Sequence, residues 1–90
     1  LKVAEIDRDN PSMSNLPEGV IVSRVNQGSP ASGKISRGDV ITMMQHKGKK
    51  FKFEDIESFE LALENFTSGD KVAFHINRNG SRLIRSITIN

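Results

Sequence analysis

Residues 28–41 read GSPASGKISRGDVI. Small residues, a proline and glycines give way abruptly to Val40 and Ile41. Ser29 carries an oxygen able to cap a helical turn, and Pro30 suits the first position of such a turn, where its missing N–H costs nothing. Ala31 is small enough to let the turn press on a sheet, Gly33 ends it, and Ile35 drops an apolar anchor. Gly38 permits a tight turn, and the Asp39 carboxylate can accept from nearby loop N–H groups. A local bond of that kind is worth about 1 kcal/mol. No nucleophile is paired with a base here, and the glycines do not match a phosphate-cradling spacing. The stretch is scaffold: a compact corner between two strands.

Both sides of the corner support this. LKVAEI (1–6) alternates apolar and polar, as a half-buried strand does. The polar segment 7–17 contains two prolines and reads as a loop. GVIVSRV (19–25) and VITMMQ (40–45) are short, apolar strands. A basic hairpin tip, His46 to Lys50, follows, and Phe51 starts a short return. IESFELALENF (56–66) is the clear helix. Asp55 can cap it, and Glu54, Asp55 and Glu57 place negative charge at its positive end. Gly69 stops it. KVAFHI (71–76) and residues 82–89 are strands flanking the hairpin signal Asn79-Gly80. The fold class is α+β and mainly β. A curled antiparallel sheet, a partly open barrel, is capped by one long helix and one short helical turn.

Ninety residues make one domain, 1–90. With no cysteine there is neither a disulfide framework nor a thiolate metal site. No apolar run approaches the ~20 residues of a membrane-spanning helix. The net charge of +2 is too small for the concentrated basic face that nucleic acid requires. The chain begins at Leu1 without a methionine, so it reads as a piece of a longer protein.

The order of these pieces resembles a PDZ domain, of the kind found in bacterial HtrA-type (Deg) serine proteases and related extracytoplasmic proteases. The matching pieces are Gly28 to Ala31, Gly38 to Ile41, the helix, Gly69 to Val72 and Asn79-Gly80. The segment between Pro30 and Gly38 is shorter than in most HtrA proteins and is similar to that of other membrane-tethered proteases. The resemblance implies a module that captures protein C-termini or extended segments for a parent protease. It also implies a periplasmic or membrane-associated extracytoplasmic location, or a bacterially derived organelle, and oligomers formed through the parent chain. The other role open to such a fold is structural, contacting neighbouring subunits or domains without free peptide. The carboxylate-binding loop of the family, an apolar-Gly-apolar motif, would fall just before or at Leu1.

Catalysis is not indicated. His46 sits in the basic hairpin and His75 on the outward face of a strand, and neither has an orienting carboxylate or a nucleophile in the sequence pattern. Lone histidines on different elements do not make a metal site, and no cofactor motif occurs. The lysines at 47, 49, 50 and 52 lack interleaved aromatics on an exposed face; Phe51 and Phe53 alternate with them and face inward. The helix carries an apolar stripe of Ile56, Phe59, Leu63 and Phe66. Matched to the family, Phe59, Ala62 and Phe66 belong to the core, and Ile56, Glu60 and Leu63 turn toward a groove. The opposite wall would be Leu1, Lys2, Val3 and Ala4, beside which a peptide adds as a strand. Leu1, Val3 and Leu63 would form the pocket for the terminal side chain. Ile56 would face the residue two before the terminus.

Overall fold

The computed structural model describes residues 1–89. Six strands and one helix follow in the order β1 (Lys2–Ala4), β2 (Val20–Arg24), β3 (Val40–His46), β4 (Lys49–Lys52), α1 (Ile56–Leu63), β5 (Lys71–Arg78) and β6 (Ser81–Thr88). They form one antiparallel sheet ordered β1-β2-β3-β5-β6, with β4 paired to β3. Both tight hairpins turn on residues with positive φ: Lys47 and Gly48 at 51° and 80°, Asn79 and Gly80 at 52° and 85°. That sign matches the right-handed twist of the flanking strands.

The core forms where the alternating strands turn inward. Val20, Val22, Ile41, Met44, Val72, Phe74, Ile76 and Ile87 are buried, and Phe59, Ala62 and Phe66 close over them from the helix side. Ala31 and Ile35 of the corner plug the core from the other side. Leu63, on the same apolar stripe of the helix, is only half-buried.

Two local elements depart from the sequence expectation. The helix ends at Leu63 rather than Phe66. The Asn65 side chain donates to the carbonyls of Leu61 and Ala62 at 3.3 and 3.1 Å, while Asn65 N and Phe66 N bond three residues back. The side chain thus satisfies carbonyls that another turn of helix would have used. The corner contains hydrogen-bonded turns and no helix. Ser29 does not cap it; its hydroxyl donates back to the Asn26 carbonyl at 2.7 Å. Gly33, at φ 80°, takes the chain off a right-handed path after a single turn.

The start of the helix follows the sequence closely. Asp55 accepts from Ser58 N at 2.8 Å, and Ser58 Oγ accepts from Asp55 N at 3.3 Å, a reciprocal capping box. The Ser58 N–H, followed by its hydroxyl, holds the Asp55 carboxyl below the ordinary aspartate value.

Phe66 ties the helix exit to the β3–β4 hairpin. Its ring meets Phe51 and His46 edge-on at 5.3 and 5.4 Å. Edge-to-face pairs contribute about 0.5–1.5 kcal/mol beyond burial. Phe66→Leu is therefore expected to lower unfolding free energy by about 1–2 kcal/mol in urea titration. An unchanged midpoint would show that the cluster contributes packing area alone.

Candidate functional site

β1 pairs with β2 through Val3↔Val22 and Ala4↔Ile21, and its other edge carries no strand among the described residues. Two features set the direction of the helix along that edge. At one end Leu1 shares a pocket with Phe59 and Leu63. At the other, Ile56 N donates to Glu5 Oε1 at 2.6 Å. Strand and helix therefore run antiparallel, with a groove between them. Five extended residues span about 13 Å and eight helical ones about 11 Å, so the groove fits roughly four residues of an extended chain. A strand added antiparallel to β1 would end its C-terminus at the Leu1–Leu63 end.

That end is an apolar cavity of about 190 Å³. Phe59 and Leu63 supply the helix wall, Phe74 and Ile87 the floor, and Pro30 and Ala31 the far rim. The corner thus has a second use: its small residues leave this volume open. The residues along the helix differ in burial. Phe59 and Ala62 are buried, Ile56 and Leu63 half-buried, and Glu60 exposed. Of the strand wall, Leu1 and Lys2 are exposed while Val3 and Ala4 are half-buried. Val3 does not line the pocket with Leu1. Val3 packs against the core, and the pairing register shifts between Lys2 and Val3 where β2 carries an extra residue, Ser23.

Asp39 is only 1% exposed. Its Oδ2 accepts from Ser36 N at 2.8 Å, as the corner motif suggests. Arg78, at the far end of β5, also grips it, with Nε on Oδ1 at 2.9 Å and a guanidinium nitrogen on Oδ2 at 2.8 Å. Burial works to raise the carboxyl's pKa, but the Arg78 hydrogen bonds, the Ser36 N–H and the nearby positive charge outweigh it and hold it below the ordinary value. The sequence offered no signal for this pairing beyond an arginine next to a hairpin turn, 39 residues away.

His46 does have a carboxylate neighbour, contrary to the sequence reading. Its Nε2 is 3.7 Å from Asp70 Oδ2, and its Nδ1 is 2.8 Å from the Lys71 carbonyl. Thr67 N donates to the same Asp70 oxygen at 2.9 Å, the largest cause of that carboxyl's lowered pKa. The Thr67 hydroxyl also meets the carboxylate rather than the imidazole. A nucleophile needs the base beside it, so this cluster is a clasp between two loops. His75 stays on the outward face, half-buried.

A wider, solvent-open depression of about 900 Å³ crosses the outer face of the sheet, passing Thr42, Met43, His75, Asn77, Arg82 and Ile84. Among the described residues no three His, Cys, Asp or Glu side chains converge as a metal site, and no helix is long and apolar enough to cross a membrane.

The architecture has clear relatives. The family model described as PDZ domain matches residues 3–89, and the chain belongs to that family. It is similar to the second domain of the Listeria protein Lin2157, solved in solution, at 26% identity and a TM-score of 0.65, over 80% of this chain and 68% of that one. No curated protein matches it. PDZ domains are non-catalytic modules that mediate peptide or protein interactions, and this chain is one.

Proposed function

We propose that the β1–α1 groove captures the C-terminal residues of proteins, taking them as an added strand with the terminal side chain in the Leu1–Leu63 cavity. The observation carrying this reading is the coincidence of a free strand edge with an apolar cavity at the end where an antiparallel strand would terminate. Main-chain bonds to β1 supply affinity and the cavity supplies selection. Leu1, Lys2, Val3 and Ala4 form one wall, and Ile56, Glu60 and Leu63 the other. Val3 acts through the strand backbone rather than the pocket. Ile56 cannot donate a hydrogen bond, so it favours an apolar ligand residue two before the terminus. The parent is a protease of the bacterial envelope, or of an organelle derived from it, to which the domain delivers or restrains substrates. The support for that is the ordered set of corner, strand and hairpin motifs shared with such proteases.

Ordering a short peptide is costly, so dissociation constants of roughly ten to several hundred micromolar are expected. The test is an NMR titration with peptides ending in apolar-x-apolar. Shifts should concentrate on residues 1–4 and 56–63, and Ile56→Lys should abolish them. If the folded protein shows no such shifts, the groove reading fails.

A further inference from the structure

We propose that the free edge of β6 is a second docking surface, which takes an acidic, extended segment of a partner protein as an added antiparallel strand. β6 ends the sheet opposite β1. Its odd residues face β5, as Ile89 N donating to the Asp70 carbonyl shows at the strand's end. By the alternation of an antiparallel ladder, the main-chain groups of Arg82, Ile84, Ser86 and Thr88 point outward. The Ser86 carbonyl does so visibly: it accepts from Lys34 Nζ at 2.8 Å. All four residues are exposed, and Ile84, at 59%, is the most exposed large apolar side chain among the described residues. Arg82, Leu83 and Ile84 also line the outer-face depression.

Charge selects the occupant. From Lys71 to Asn90 the chain contains Lys71, Arg78, Arg82 and Arg85 and no acidic residue. Lys34 adds a further cation at the edge. The nearest carboxylate on the corner, Asp39, is occupied by Arg78, and Asp70 lies at the far end of the strand beside Ile89. Arg85 lends positive charge near Asp39, but among the described residues Lys34, Arg82 and Arg85 form no ion pair and can meet a partner's carboxylates. A second copy docking edge to edge would set these cations against their own kind. An unguarded edge invites indiscriminate pairing, and basic side chains restrict it. An incoming acidic strand exchanges the Lys34 contact for main-chain bonds and carboxylate partners. Facing residues 86 to 82, the matching order is Thr-Glu-Val-Val-Glu.

The experiment uses the blocked peptide acetyl-STEVVES-amide, whose capped terminus offers the β1–α1 groove no carboxylate. Titrated into isotope-labelled protein, it should shift amides of residues 81–88 and Lys34 and leave 2–4 and 56–63 in place. Affinity should fall at least tenfold in the Arg82→Glu/Arg85→Glu variant and several-fold at 0.5 M salt, where charges are screened beyond a few ångströms. It should survive Ile56→Lys, so failure of the groove reading leaves this one standing. The charge-swapped peptide acetyl-STKVVKS-amide should not bind. Equal binding of both peptides, shifts confined to the groove, no binding at millimolar peptide, or edge shifts that track protein concentration without peptide would each overturn the proposal.

Discussion

Gly19→Ala is expected to be the most damaging single methyl addition in the domain. Gly19 enters β2 at φ 151°, in the positive region that side-chain-bearing residues rarely adopt. A Cβ there would lie 2.2 Å from the Ile41 carbonyl oxygen and 3.0 Å from its carbon. Both are backbone atoms of β3, so no rotamer change relieves the overlap; the strands themselves must separate. Their separation would disturb Val20 and Ile41, both fully buried. Backbone strain of about 1–3 kcal/mol adds to this repacking, for a total of at least about 3 kcal/mol. A domain of this size has roughly 5–10 kcal/mol in all. The variant should unfold far below the wild-type urea midpoint, or fail to give a dispersed NMR spectrum at ambient temperature. A wild-type midpoint would mean that β2 does not approach β3 so closely.

The second large effect comes from Arg78. Arg78→Ala leaves the Asp39 carboxylate inside the corner without its bidentate partner, and breaking a buried pair from one side is strongly destabilising. A drop in melting temperature of more than about 10 °C is expected. Asp39→Asn should cost less, because it removes the buried charge itself and leaves Arg78, whose side chain is 33% exposed, to be hydrated. The reverse order would refute the account. Lysine at 78 should rescue only partly, since it lacks the planar fork. The pH dependence follows from the depressed Asp39 pKa. Its stabilising contribution is complete above the unfolded value, about pH 4, and is lost as pH falls through the lower folded value. Asp55 and Asp70 are depressed too and add acid sensitivity of the same sign. The diagnostic is therefore the difference: the melting temperatures of wild type and Asp39→Asn should converge on acidification below about pH 4. A constant gap would place the stabilisation elsewhere.

Local bond energy alone, about 1 kcal/mol, is what the corner motif suggests for Asp39. The larger cost arises because the β5 hairpin end swings Arg78 onto the same carboxylate. No pattern near position 39 encodes that approach.

The same division runs through the molecule. Strand alternation, the capping residues at Asp55 and Ser58, and the Asn79-Gly80 turn act within a few residues, so the element order and most of the core were legible in the sequence. The buried face of the helix came through the resemblance to the family, which puts Phe59, Ala62 and Phe66 in the core, and all three are buried. Where the helix stops was not legible: Asn65 competes for the last carbonyls, and whether a side chain does so depends on the space its neighbours leave. The Asp70 partner of His46, the tie from Glu5 to the helix start and the Lys34 contact at the exposed basic edge of β6 join segments 24 to 52 residues apart. Contacts at such separations are set by how the sheet curls and which strand is left at its edge, and only the tertiary structure decides them.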